Sequence, residues 1–160
     1  MAENFIVIGN SKEEKYQSLI PQLEALVKGE TDLVANLANI TSAIKTTLNY
    51  YWIGFYLVKE GELVLGPFQG TVACTRIKRG RGVCGTAWER NEVIIVDDVD
   101  KFPGHIACSS FSKSEIVLPL NDSSGNVIAV LDVDDDKYAT FDQIDKIYLS
   151  QICILASTLF

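Results

Sequence analysis

The chain has 160 residues, 48% hydrophobic and 22% charged, with a formal net charge of -7, 4 cysteines and 1 histidine. That length builds one domain whose core needs neither a metal nor a disulfide. The acidic balance speaks against a nucleic-acid surface, which draws on cations paired with phosphates, and no apolar run reaches the roughly 18 residues of a membrane span. In chain order, residues 11–28 start with a Ser and an acidic turn and place Tyr16, Leu19, Ile20, Leu23 and Leu26 at helical spacing, with Pro21 expected to kink the helix or mark its true beginning. Residues 32–48 read as a second amphipathic helix on Leu33, Leu37, Ile40, Ile44 and Leu48. NYYWIGFYLVKEGELVLGPF reads as a β-hairpin turning at KEGE, and TRIKRG as a short strand or solvated loop. GVCGTAWERN predicts a short helix entered through a glycine turn, and EVIIVDD an apolar strand. Residues 115–120 and 126–134 are two more strands around the turn NDSSG, and the last segment is a helix capped by Thr140 or Asp142, with Ile144, Ile147, Tyr148, Ile152 and Leu155 facing inward.

This order predicts an α+β fold, a central antiparallel sheet with helices on one face. A single domain over 1–160 is expected: a helical segment at 1–48, sheet and ligand pocket at 49–135, and the last helix at 140–160. The first residues, MAENFIVIGNSKEEKYQ, lack a basic start, a long apolar middle and a small-residue cleavage site, so the protein is expected to be cytoplasmic. A reducing cytosol makes any disulfide here transient rather than structural.

Strand parity points to a pocket. Trp52, Gly54 and Tyr56 share one side of their strand, while Ile53, Phe55 and Leu57 share the other. The second set is core; the first places two aromatics around a glycine, a pattern that marks a ligand or a close backbone approach. In VIAVLDVDDD, Val127, Ala129, Leu131 and Val133 form one face, and Ile128, Val130, Asp132 and Asp134 the other. Glu115 runs in phase with Val117, so if these strands are neighbours three carboxylates gather. Clustered acids cannot all ionise cheaply, and at least one should hold its proton near neutral pH.

Cys74, Cys84 and Cys108 match neither paired CxxC zinc ligands nor a thioredoxin-type CxxC, and no metal site is expected. Two of them have local support as nucleophiles. Cys84 sits at a helix start close in sequence to Arg79 and Arg81, which favours a thiolate, and Cys108 lies in a polar loop after His105 and before the strand of Glu115. Residue chemistry alone does not rank them. Cys74, also in a loop, could reach either, and Cys153 belongs to the apolar side of the last helix. Loop thiols beside an aromatic and acidic pocket suggest thiol redox chemistry, in which a sulfenic acid condenses with a second thiol.

Positions 48–135 resemble the free methionine-(R)-sulfoxide reductases, which are stand-alone GAF domains, through WIGFYL, ELVLGPFQG, ACTRI, GVCGTA, FPGHIAC, SEIVLPL and VIAVLDVD. The resemblance implies a GAF-like fold of about six antiparallel strands with the N- and C-terminal helices on one face. It further implies reduction of the R-sulfoxide of free methionine, with no cofactor. Cys108 resembles the catalytic nucleophile, Cys74 the principal resolving thiol and Cys84 an accessory or alternative one. Trp52 and Tyr56 resemble the walls around the methyl-sulfur end, and Glu115, Asp132 and Asp134 the acids that contact the sulfoxide oxygen and the amine. The implied partner is thioredoxin, which would re-reduce the disulfide, and dimerisation through the terminal helices is compatible with the fold. A competing reading is a non-catalytic small-molecule sensor or a redox-responsive interaction module. Ser109, where relatives often carry an acid, and Phe111, larger than expected, depart from the family pattern.

Overall fold

The computed structural model describes residues 5–106 and 110–160. Helix α1, Lys12–Val27, opens with a capping box: Ser11 Oγ accepts from the Glu14 N–H at 3.1 Å, and Glu14 Oε2 accepts from the Ser11 N–H at 3.1 Å. The helix runs through Pro21 rather than beginning there. Helix α2, Leu33–Leu48, is capped by Asp32, whose side chain accepts from the Ala35 N–H at 2.8 Å. Strands β1, Trp52–Lys59, and β2, Glu62–Gln69, form the expected hairpin. Its two turn residues, Glu60 and Gly61, both have positive φ, at 52° and 80°, the geometry that matches the twist of a two-residue hairpin.

Strand β3, Arg76–Lys78, is followed by helix α3, Gly82–Arg90, and strand β4, Ile94–Val96. Strands β5, Ser114–Asn121, and β6, Val127–Asp135, lead to helix α4, Gln143–Ser157. Asp142, rather than Thr140, caps α4, accepting from the N–H groups of Ile144 and Asp145. The six strands form one sheet in the order β3-β2-β1-β6-β5-β4, every pairing antiparallel.

Alternation along these strands divides the interior in two. Ile53, Phe55, Leu57, Ile116, Leu118, Leu131 and Val133 face a core built with α1, α2 and α4. Trp52, Tyr56, Val117 and Val130 face the other way, where Val83, Cys84 and Ala87 of α3 pack on them. The terminal helices thus share one face as predicted, and α3 takes the opposite face, so helices are not confined to one side.

Two expectations need correction. Ile147 is 54% exposed; α4 buries Ile152 as expected, together with Asp145, Leu149, Cys153 and Ala156. The inward stripe starts from a carboxylate that apolar periodicity does not count. The parity of β6 also fails at its start: Val127 packs on the α3 side and Ile128 on the other, because a register shift beside Leu120 and Asn121 inserts a residue.

The fully buried Asp145 is well partnered. Its Oδ2 accepts from Lys12 Nζ at 2.5 Å, and its Oδ1 accepts from Tyr16 Oη at 2.8 Å and from the Tyr50 hydroxyl. Burial, with the adjacent carboxylate, pushes both phenols far above their ordinary range, so they remain donors. This network ties α1 to α4 and to the chain entering β1.

Candidate active site

On the α3 side, the sheet and the loops around it form an open cavity lined by aromatic and acidic side chains. Trp52 and Tyr56 form its aromatic wall, with ring centroids 6.1 Å apart, and Phe68 stacks on Trp52 at 5.5 Å. The glycine between them has a different purpose from the one its strand position suggests. A Cβ on Gly54 would lie 2.4 Å from Trp52 Cη2 and 2.5 Å from Phe68 Cβ, and one on Gly70 would lie 2.4 Å from Trp52 Cδ1. The close approach that these glycines permit is that of the Trp52 ring itself. Trp52 Nε1 donates to the Thr71 carbonyl at 2.9 Å, and Tyr56 Oη donates to the Cys74 carbonyl at 3.0 Å. Both wall residues thereby hold the loop that carries Cys74.

Strand register delivers the acids. Glu115 pairs with Asp134, which pairs with Trp52; Val117 pairs with Asp132, which pairs with Gly54. Glu115, Asp132 and Asp134 therefore line one cavity with Trp52 and Tyr56, as parity predicts. Glu115 and Asp132 are 5% and 7% exposed, and Asp134 is partly buried. Burial, then the charges of Asp132 and Asp134, pushes the Glu115 carboxyl well above its ordinary range. Burial lifts Asp132 to about 6 and raises Asp134 strongly, with Asp132 adding to the latter. Oδ1 of Asp132 is buried with no hydrogen-bond partner among the described residues. Burying such an atom without a partner is costly, and a ligand bearing an N–H donor would satisfy it.

The environment of Cys84 reverses the expectation drawn from Arg79 and Arg81. Its thiol is buried and donates to Glu115 Oε1 at 3.9 Å. Burial first, then Asp132 and Glu115, pushes it well above the ordinary thiol value. Arg79 instead lies over the Trp88 ring, 5.7 Å from its centroid, and Arg76 pairs with Glu62 at 3.1 Å on the exposed β3 edge. Proximity in sequence pointed to cations, and proximity in space supplies anions. Cys74 is disulfide-bonded and half-buried. Cys84 and Cys153 are free, the latter buried in the core as expected, with its thiol pushed up by burial. Cys108 and Ser109 lie outside the described residues.

Arg81, His105 and Ser112 are among the further residues that line the cavity. His105 Nε2 stands 3.9 Å from Glu115 Oε2, and burial lowers its basicity. The unique histidine of the chain was the available signal for it. Ser112 hydrogen-bonds Asp134 and moderates its upward shift.

The chain matches the GAF domain family model over residues 30–159. It is 61% identical over 153 residues to GAF domain-containing protein A of Dictyostelium discoideum, covering 95% of this chain and 96% of that one. It is 47% identical over 143 residues to the free methionine-R-sulfoxide reductase of Escherichia coli, covering 89% and 86%. Among solved structures, the free methionine-R-sulfoxide reductase of Neisseria meningitidis in complex with its substrate superposes with a TM-score of 0.95 at 47% identity, over 98% of this chain and 95% of that one.

Proposed function

Because the chain belongs to the GAF domain family that includes the free methionine-R-sulfoxide reductases, we propose that it reduces free methionine-R-sulfoxide to methionine in the cavity beside α3. The observation that carries the reading is the carboxylate cluster. Three acids line one aromatic cavity, and one of them has a buried oxygen without a partner among the described residues. The substrate ammonium supplies positive charge and donors for Asp132 and Asp134. Trp52 and Tyr56 hold the methyl-sulfur end between them. Glu115, kept neutral by burial and by its charged neighbours, gives its proton to the sulfoxide oxygen, which leaves poorly until protonated.

In this reading Cys108 is the nucleophile. Its thiolate attacks the protonated sulfoxide at sulfur, the S–O bond breaks as the oxygen passes to the Cys108 sulfur, and methionine leaves with Cys108 as a sulfenic acid. A second thiol then displaces that oxygen as water and closes a disulfide, so two thiols supply the two electrons that the sulfoxide accepts. Cys74 is the better resolving thiol, since it is disulfide-bonded while Cys84 is free, buried and held against Glu115. A thioredoxin returns the pair to dithiol.

The test is a single turnover. Fully reduced protein given one equivalent of free methionine-R-sulfoxide should release one equivalent of methionine, lose two thiols and yield a Cys74–Cys108 cross-linked peptide by mass spectrometry. Cys108→Ser should release none. Methionine formation that survives Cys108→Ser would sink the assignment.

A further inference from the structure

We propose that Cys84, Glu115 and Asp132 form a binding site for a thiophilic divalent cation, of the zinc or cadmium class, in the ligand-free cavity. Among the described residues these three bring one sulfur and two carboxylate oxygens to within 4.8 Å of one another. Two ligand atoms on a tetrahedral ion of this class stand roughly 3.5 Å apart, given metal–sulfur and metal–oxygen bonds of about 2.3 and 2.1 Å. Cys84 Sγ and Glu115 Oε1 are already 3.9 Å apart, so small side-chain adjustments complete the geometry. The three residues lie on α3, β5 and β6, and sheet register fixes two of them. Oδ1 of Asp132, without a partner among the described residues and on a side chain more than nine-tenths buried, is an independent sign of a missing cationic or donor group.

The donor set selects the metal. Calcium and magnesium take six or more oxygens, several of them from water, whereas one thiolate with two carboxylates suits a borderline or soft ion. On binding, the Cys84 thiol and the Glu115 carboxyl both give their protons to solvent, and the ion takes their place between sulfur and the acids. The fourth coordination position opens into the cavity, where water or a small ligand can enter. This site does not depend on the reductase reading. It does make the cation a competitor of any ligand that uses the same acids, and it gives Cys84 a role other than disulfide formation.

Cadmium alone, titrated into the oxidised protein, is the direct probe, because Cys84 and Cys153 are the free thiols among the described residues in that state. One cadmium per chain should bind with an ultraviolet thiolate-to-metal absorption. Cys84→Ser should abolish that absorption and weaken binding by roughly 100-fold or more, since even losing a partner outside the ligand set costs about 10–100-fold. Asp132→Asn should keep the absorption and weaken binding by roughly tenfold or more. Cys153→Ser should change neither. No absorption in the wild type, absorption that persists in Cys84→Ser, or wild-type affinity in Asp132→Asn overturns the proposal.

Discussion

The two faces of the sheet each bury an aspartate, and they treat it in opposite ways. Behind the sheet, Asp145 receives Lys12 and two tyrosine hydroxyls. In front, Asp132 sits among Glu115, Asp134 and the Cys84 thiol, with one oxygen unpartnered among the described residues. A buried charge that is fully partnered joins parts of a scaffold, while one left among like charges weakens the empty fold and becomes favourable only when something binds. Burial alone does not distinguish the two, whereas the inventory of partners does.

Replacing the carboxylate by an amide on each face exposes the contrast most strongly. Asp145→Asn should lose about 3 kcal/mol in urea denaturation, the low end for breaking a buried pair because Lys12 is partly exposed. Asp132→Asn should raise stability at pH 7, since it removes a charge that the fold disfavours. A loss of stability on both faces would erase the distinction. The same difference appears in the response to pH. Burial pushes the Asp132 carboxyl up to about 6 in the folded protein from an ordinary 3.8, so between those values the folded state holds more protons. Its contribution to stability is therefore full below 3.8 and lost as pH rises towards about 6, and Asp132→Asn should flatten that part of the stability profile.

A smaller effect concerns the aromatic wall. Gly54→Ala forces a methyl against Trp52 and Phe68 and should cost about 1–3 kcal/mol while raising KM more than it lowers kcat. An unchanged KM would mean that the Trp52 position does not matter to the ligand. The smallest effect belongs to α4. Ile147→Ser should change stability by no more than about 0.5 kcal/mol in urea denaturation, and a larger loss would mean that this face is not open to solvent.

Much of this site could be read from the sequence because strand alternation is a geometric rule. Trp52 and Tyr56 on β1, Glu115 on β5 and Asp132 and Asp134 on β6 follow from period two once the strands are neighbours. What could not be read depends on contacts distant along the chain. Cys84 is five residues from Arg79, yet it meets Glu115, 31 residues away, and its thiol chemistry is reversed. Asp145 joins Lys12 across 133 residues, so a helix stripe judged by apolar residues alone admitted Ile147 and left out the carboxylate. The register shift beside Leu120 exchanges Val127 and Ile128, since one inserted residue reverses parity.

The most direct test of the claim that burial arms the front-face acids is the rate of methionine release in a single turnover, measured across pH for wild type and Glu115→Gln. If the raised Glu115 carboxyl protonates the sulfoxide as proposed, the wild-type rate should fall as pH rises and the acid cluster loses its proton. Glu115→Gln should be slower by about 10²–10⁴-fold and lack that decline. A Glu115→Gln protein as fast as wild type, with the same pH profile, would contradict the account.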